Sequence, residues 1–172
     1  MYLTDKNIIK KIKEKEISIK PFNKKNLGPN SYDLTLHNEF SFFKYNNKKI
    51  NLIKNKFNLY LLKPGQKIVI KSNEIIKVSN KYLAILSQRS NYARLFSLNM
   101  SFLVDSDYEG YITAALINNN KFPIEIKSGI RFCQIMFSKV DGKVDVPYFL
   151  REGSKNLKQK ENNILKYKKD SF

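Results

Sequence analysis

The chain has 172 residues, 42% of them hydrophobic and 13% aromatic, with 32 Lys and Arg against 15 Asp and Glu. This composition excludes a disordered chain, and the length predicts one globular domain with a buried core, with or without a tail. No stretch approaches the roughly 18 apolar residues that a membrane-spanning helix needs, so we expect no membrane partner.

The formal net charge of +17 has two interpretations. It could attract a polyanion such as a nucleic acid, or it could reflect a general enrichment in Lys and Asn along the chain. The second is favoured, because only four of the basic residues are arginines, so we do not expect a nucleic acid partner. Arginine makes bidentate phosphate contacts that lysine does not. All four arginines lie in the C-terminal half: Arg89, Arg94, Arg131 and Arg151.

The first residues contain no apolar segment of the kind found in secretory signal peptides. Cys133 is the only cysteine and has no partner for an internal disulfide bond, which is typical of a reducing compartment. We therefore expect a cytoplasmic protein.

The first predicted element is a helix that starts at Asp5, is capped by Thr4 and ends near Lys15. Ile8, Ile9 and Ile12 form its apolar stripe. The following pattern is typical of short β-strands separated by Gly, Pro and Asn turns, which indicates an antiparallel barrel or sandwich. Predicted strands cover residues 17–19, 31–36, 39–45, 59–62, 67–71, 82–86, 110–117, 124–126 and 131–137.

The segment from Arg89 to Arg94 follows one of these strands and reads RSNYAR. A helical turn here would place Ser90 and Arg94 on one side, four residues apart, where a hydroxyl and a guanidinium could bind an anion. A surface helix with two solvated arginines is the alternative interpretation, and these residues alone do not decide between them.

The segment from Asp105 to Gly110 reads DSDYEG and holds three carboxylates within five residues. Such a group could bind a cation, activate water or simply form a solvated turn. It lacks the longer ligand series of a calcium loop. His37 and Glu39 match the H-x-E of zinc deaminases, but a single cysteine cannot supply the second half of that motif. No P-loop or dinucleotide-binding glycine motif is present.

Taken in chain order, these segments resemble the trimeric dUTPase and dCTP deaminase superfamily. The segments within residues 3–36 are similar to the deaminase-type branch, whereas the segment around Asp105 is closer to ordinary dUTPases. The resemblance implies a mainly β fold, a dUTPase-like antiparallel β-barrel or distorted jelly roll with a short N-terminal helix, over residues 1–150. The matching segments are 3–9, 17–22, 28–36, 89–94 (phosphate motif), 104–110 (nucleoside motif) and 129–137 (fourth motif).

The resemblance also implies a homotrimer with sites shared between subunits, and Mg²⁺ carried on a pyrimidine deoxynucleoside triphosphate rather than by side chains. Its motifs imply that Asp105 holds and deprotonates the attacking water and that Asp33 supports the site electrostatically. The residues implied to bind substrate are Arg89, Ser90, Arg94 and Gln134 around the phosphates and Tyr108 against the deoxyribose.

One position separates the two reactions of this superfamily. Deamination of dCTP in the family uses a glutamate on the strand after the glycine turn, and here that position is Ala115. A methyl group cannot transfer protons. We therefore expect a dUTP diphosphatase that forms dUMP and pyrophosphate. The alternatives are a dCTP deaminase or bifunctional enzyme with a displaced acid such as Glu109, and a non-catalytic nucleotide- or nucleic-acid-binding relative.

Residues 151–172 are rich in Lys, Asn and Gln and are expected to form a flexible tail. In the family a C-terminal segment closes over the site. Lys155 and Gln159 keep the spacing of the deaminase-type tail and are the expected substrate contacts there, although no glycine follows Gln159.

Overall fold

The computed structural model describes residues 1–46, 49–100, 102–142, 144–146 and 150, without the side chains of residues 45, 46, 49 and 50. The expected tail therefore lies outside the described residues. Two α-helices and eleven strands are found in the described part of the chain, apart from one short 3-10 helix at Lys24–Asn26. They are α1 (Asp5–Lys13), β1 (Ile17–Lys20), β2 (Tyr32–Asn46), β3 (Lys49–Lys56), β4 (Leu59–Leu62), β5 (Lys67–Val78), β6 (Tyr82–Gln88), α2 (Ser90–Ala93), β7 (Ser97–Asn99), β8 (Leu103–Val104), β9 (Glu109–Ile117), β10 (Ile124–Lys127) and β11 (Arg131–Lys139).

Helix α1 begins where predicted, but Thr4 does not cap it with its side chain. The terminus is held by backbone bonds instead, since the Asp5 N–H donates to the Pro29 carbonyl at 2.8 Å. Ile8 is fully buried, so the helix packs one side of its apolar stripe against the body of the domain, as the spacing predicts.

The strands form one curled antiparallel sheet and a separate two-stranded sheet. The large sheet runs in the order β7-β9-β5-β2-β11-β6-β8, with β1 added to β5 and β3 added to β2. Strands β4 and β10 pair with each other. The predicted mainly β architecture with a short N-terminal helix is confirmed.

The core lies on the inner face of the curled sheet, because alternate residues of the long strands point to it. On β2 these are Tyr32, Leu34 and Leu36, each fully buried. The intervening residues Asp33 and Thr35 are only partly buried and occupy the opposite face. This alternation places the polar residues of β2 on the outer surface of the sheet.

Two irregularities interrupt the alternation next to that polar face. The pairing of β2 with β5 shifts register between Leu36 and Phe40, and the pairing of β5 with β9 shifts between Lys71 and Ile75. Beyond the shifts β5 pairs with β1 on its other edge, through Ile75 to Val78. The start of β2 therefore has no backbone ladder with β5.

Candidate functional site

The predicted phosphate-binding residues converge at one end of β2, β6 and β11. Gln134 of β11 lies opposite Asp33 of β2 on one side and opposite Ser87 of β6 on the other. Arg89 follows β6 directly and Arg131 opens β11. Three strands that are distant in sequence thus bring an amide, a carboxylate and two guanidiniums together.

Asp33 lies between the two guanidiniums. Its Oδ1 is 3.4 Å from Arg89 Nε and its Oδ2 is 3.4 Å from Arg131 Nη1. Arg89 Nη1 also donates to the Arg131 carbonyl at 3.4 Å. Burial raises the pKa of the Asp33 carboxyl, and the two guanidiniums partly oppose that increase. One carboxylate between two arginines leaves a net positive charge, which suits a phosphate group.

Ser90 and Arg94 lie beside this cluster on the one-turn helix α2. Ser90 is its first residue and Arg94 follows its last, and both side chains are exposed. The turn is held against the domain by Tyr92, whose ring stacks on Phe96 with centroids 5.3 Å apart. The structure therefore brings Arg89, Ser90, Asp33 and Gln134 to one region.

Asp105 belongs to a tight turn between β8 and β9. Ser106 is buried and donates its hydroxyl to the Tyr82 carbonyl at 2.8 Å, which fixes the turn on β6. Asp107 has a positive φ of 63°, a conformation that Asp and Asn tolerate better than most residues. The Asp105 side chain is exposed, and Glu109 pairs with Lys77 at 3.1 Å. Of the three residues, Asp105 is the most exposed.

Tyr108 is 91% buried and packs within the core cluster. Its hydroxyl donates to the Tyr111 carbonyl at 2.7 Å, so the ring is fixed in position at the start of β9. The predicted contact of this ring with a deoxyribose would use the small part of it that remains accessible.

Within one chain, Asp105 and Arg89 are not brought together. Val104 pairs with Ala84 near the beginning of β6, whereas Arg89 follows the end of that strand. Five residues of strand separate the two positions, or about 17 Å. Within one chain the two positions therefore lie beyond opposite ends of β6.

Ala115 lies on the outer face of β9, together with Tyr111 and Thr113. It is in register with Val69 of β5 and Asn99 of β7. Glu109 lies six residues away on the same strand, or about 20 Å. Glu39 of β2 is closer across the sheet, but its carboxylate binds Lys71 Nζ at 2.8 Å.

Two residues of this region were not assigned a role in the sequence analysis. Arg131 lies inside the fourth matching segment and is one of only four arginines, so the signal for it was present. Glu74 is 98% buried beside β2, and no sequence pattern singled it out. Lys155 and Gln159 lie outside the described residues.

The described side chains contain no cluster of three or more His, Cys, Asp or Glu able to hold a metal ion. The side chains around Asp33 are guanidinium and amide donors, a set that suits phosphate oxygens rather than a resident cation. No helix in the described ranges is long and apolar enough to cross a membrane.

The chain is similar to known proteins over most of its length. A family model described as dCTP deaminase-like matches residues 2–140. The chain is 34% identical over 153 residues to a dCTP deaminase, dUMP-forming, of Hydrogenobaculum sp. (strain Y04AAS1), which covers 82% of this chain and 84% of the relative. It is 31% identical over 166 residues to the probable deoxyuridine 5'-triphosphate nucleotidohydrolase of Sulfolobus islandicus rod-shaped virus 1, covering 96% and 99%.

Among solved structures, the 2'-deoxycytidine 5'-triphosphate deaminase from Agrobacterium tumefaciens is similar, with a TM-score of 0.65 at 16% sequence identity. The match covers 81% of this chain and 48% of that chain. At this identity the similarity concerns the fold alone, and it agrees with the curled antiparallel sheet.

Proposed function

Because the chain belongs to the dCTP deaminase-like family, we propose that it is a dUTP diphosphatase that hydrolyses dUTP to dUMP and pyrophosphate with Mg²⁺. Membership of the dUTPase and dCTP deaminase superfamily, predicted from the sequence, is confirmed. The choice of dUTP hydrolysis over deamination is the proposal, and we assign it to the cytoplasm, where the free thiol of Cys133 stays reduced.

The observation that carries this choice is the environment of Ala115. Deamination needs a positioned acid that exchanges protons with the pyrimidine and the attacking water. Ala115 has no acidic group. The nearest acid on its own strand, Glu109, is six residues away and forms an ion pair with Lys77, and Glu39 on β2 forms one with Lys71. Hydrolysis of a phosphoanhydride does not need an acid at this position.

The remaining residues are suited to hydrolysis at the α-phosphorus. Asp105 would hold a water molecule and take its proton as the water oxygen bonds to phosphorus. The bond from the α-phosphorus to the bridging oxygen then breaks, and pyrophosphate leaves with that oxygen. Arg89, Arg131 and Gln134 would stabilise the phosphate charge that develops.

Mg²⁺ would enter with the triphosphate, held by its phosphate oxygens, because the side chains around Asp33 are donors and not metal ligands. When bound, it would neutralise part of the phosphate charge. The protein's own residues would then hold the phosphates, orient the base and sugar, and keep Asp105 directed at the α-phosphorus.

We further propose that the working form is a homotrimer in which each site combines Asp105 of one chain with Arg89 of another. The separation of about 17 Å along one chain supports a shared site. Three exposed apolar side chains lie between the two segments and offer a surface for the second copy: Leu95, Phe102 and Leu103, at 45%, 67% and 48% exposure.

A second candidate function is dCTP deamination, alone or combined with dUTP hydrolysis. The names of several relatives that are 30–34% identical to this chain favour it. This activity would require an acid other than residue 115. In that case the Ala115→Glu variant would deaminate dCTP no faster than the unmodified protein.

The test is a substrate panel of dUTP, dCTP and dTTP with Mg²⁺, in which pyrophosphate and ammonia are both measured. We expect pyrophosphate from dUTP and no ammonia from dCTP. Ammonia from dCTP without pyrophosphate from dUTP would replace the proposed function with deamination. Pyrophosphate from dUTP together with ammonia from dCTP would establish the bifunctional form.

A further inference from the structure

Glu74 is a buried carboxylate that the proposed chemistry does not use. It is 2% exposed and lies on β5, where its carboxylate contacts Thr35 near the start of β2. Its Oε2 accepts the Thr35 N–H at 2.9 Å, and its Oε1 accepts the Thr35 hydroxyl at 2.8 Å. No ion pair to Glu74 is found among the described residues, so its charge is balanced only by hydrogen bonds.

The position of Glu74 follows from the break between β2 and β5. The two strands pair at Leu36 and Ser72, and the register then shifts. Upstream of Leu36 the β2 backbone has no β5 partner, and a buried N–H there needs another acceptor. The Glu74 carboxylate supplies it for Thr35, so a side chain takes the place of a missing ladder bond.

The neighbouring side chains complete this connection. Asn73 Nδ2 donates to Thr35 Oγ1 and to the Leu36 carbonyl, both at 3.1 Å. The Ser72 hydroxyl donates to the Glu74 carbonyl at 2.6 Å and accepts the Ile112 N–H at 3.0 Å. Glu74 is therefore held firmly by β5 and β9, and it holds Thr35 in turn.

Thr35 is two residues from Asp33 and points to the same face of β2. On the opposite edge Asp33 is paired with Gln134 of β11. The short stretch that carries Asp33 is thus fixed by a backbone ladder on one edge and by the Glu74 carboxylate on the other. Asp33 in turn sets the positions of Arg89 and Arg131.

We propose that Glu74 is a positioning residue for the phosphate site: by accepting both donors of Thr35 it fixes Asp33, and through Asp33 the two arginines. This inference rests on the proposed function, in which those arginines bind the triphosphate. A carboxylate suits the task because both of its oxygens accept hydrogen bonds, whereas a glutamine offers one accepting oxygen.

A buried carboxylate is costly unless hydrogen bonds compensate it, and Thr35 supplies two of them. Burial raises the pKa of the Glu74 carboxyl. Burial raises the pKa of the Cys133 thiol, and the charges of Glu74 and Asp33 add to that increase.

The test measures binding of magnesium tripolyphosphate by titration calorimetry, which needs no turnover. Thr35→Val removes the hydroxyl bond to Glu74, and Glu74→Gln removes the negative charge and one of the two accepting oxygens, both without emptying the space. We expect each to weaken binding about three- to thirtyfold. Circular dichroism and the melting temperature establish that the variants are folded, and Thr35→Val carries the test if Glu74→Gln does not fold.

Glu39→Gln is the matched control. Its carboxylate also links β2 to β5, through Lys71 Nζ at 2.8 Å, but it lies six residues beyond Asp33. It should lower stability and leave tripolyphosphate binding within about twofold of the unmodified protein, because it does not touch the stretch that carries Asp33.

Combination with Asp33→Asn separates positioning from a general structural role. If Glu74 and Thr35 act through Asp33, their substitutions should change binding little once Asp33 is already replaced, whatever the sign of the Asp33→Asn effect alone. An equal loss with and without Asp33, or unchanged binding in both single variants, would overturn the inference. Failure of the unmodified protein to bind magnesium tripolyphosphate would instead overturn the proposed phosphate site.

Discussion

The two residues with the greatest influence on the proposed site are both carboxylates, and their surroundings give them opposite tasks. Asp33 is largely buried between Arg89 and Arg131, where it holds cations in place. Asp105 is exposed on a turn that is held in place by the hydrogen bond from the buried Ser106 hydroxyl to the Tyr82 carbonyl. Both oxygens of Asp33 lie within ion-pair distance of a guanidinium, whereas Asp105 is exposed, so we assign the proton-accepting role to Asp105.

Substitution of Asp105 by asparagine should remove hydrolysis and leave substrate binding in place. An amide of the same size can still hold a water molecule but cannot take its proton. We expect the rate of pyrophosphate release from dUTP to fall about 10²–10⁴-fold. The affinity for a non-hydrolysable dUTP analogue, measured by calorimetry, should change less than about threefold.

Asp107→Asn is the matched control for this variant. It makes the same chemical change two residues away in the same turn, and asparagine tolerates the positive φ of that position. Its hydrolysis rate should stay close to that of the unmodified protein. Equal losses in both variants would show that the turn, and not the Asp105 carboxylate, is being tested.

Glu74→Gln also has a predicted dependence on pH. Burial raises the pKa of the Glu74 carboxyl above its ordinary value of 4.5, so the folded protein gains stability when this group takes up a proton. That gain is complete below about pH 4.5 and is lost as the pH rises through the pKa that Glu74 has in the folded protein. The glutamine variant lacks this pH-dependent contribution to stability. Its melting temperature relative to the unmodified protein should therefore be highest near neutral pH and should decrease on acidification.

At the level of elements, the outer face of the sheet holds a second polar contact with a different task. Lys71 of β5 is 92% buried, and its ammonium group lies 5.0 Å from the centre of the Tyr111 ring on β9. Its hydrogen bond to Glu39 connects β5 to β2 within the register shift. This ion pair stabilises the sheet where the backbone ladder is interrupted.

Glu39→Gln should destabilise the protein by about 1–3 kcal/mol at neutral pH, because it leaves the Lys71 ammonium without its anionic partner. The hydrogen bond from Lys71 lowers the pKa of the Glu39 carboxyl below its ordinary value of 4.5. The stabilisation by the ionised Glu39 is therefore present above about pH 4.5 and is lost as the pH falls through the pKa that Glu39 has in the folded protein. Urea unfolding at pH 7 and pH 4 should show the difference between the two proteins shrinking at the lower pH. A difference that stays constant would contradict the assignment.

The sequence predicted most strands because their apolar residues alternate with polar ones between clear turn residues. It did not predict β3, whose residues are mostly Lys and Asn around a few apolar positions. It also missed β7 and β8, which have three and two residues. Strands this short are defined by the partners they meet, and local propensity carries little information about them. The predicted strands 31–36 and 39–45 proved to be one strand with a register shift.

The site was predicted in its residue types more fully than in its geometry. Arg89, Ser90 and Gln134 could be named from their segments, but their meeting at Asp33 depends on the pairing of three strands. The role of Glu74 depends on a gap in the ladder between β2 and β5, and such gaps leave no mark in a single sequence.

At the level of the whole molecule, the proposed site is incomplete in a single chain. Arg89 and Asp105 lie beyond opposite ends of β6, and the apolar side chains between them are exposed. A closed oligomer resolves both facts, since rotation about a symmetry axis can place the Asp105 turn of one copy over the Arg89 cluster of the next. Burial of the apolar surface would favour such an assembly.

This arrangement predicts that two inactive variants can complement each other. Arg89→Ala removes the phosphate contact from one half-site, and Asp105→Asn removes the base from the other. In hybrid trimers some sites pair the intact Arg89 of one chain with the intact Asp105 of its neighbour. After unfolding and refolding of an equimolar mixture, about a quarter of the sites should be intact on random assembly.

The measurement is pyrophosphate release from dUTP with Mg²⁺ by the mixed variants, compared with each variant refolded alone and with the refolded unmodified protein. We expect each variant alone to be inactive and the mixture to recover about a quarter of the unmodified rate. A mixture as inactive as its components, in a preparation whose unmodified protein refolds to full activity, would contradict a site built from Asp105 and Arg89 of different chains. An unmodified protein that releases no pyrophosphate from dUTP would contradict the proposed reaction itself.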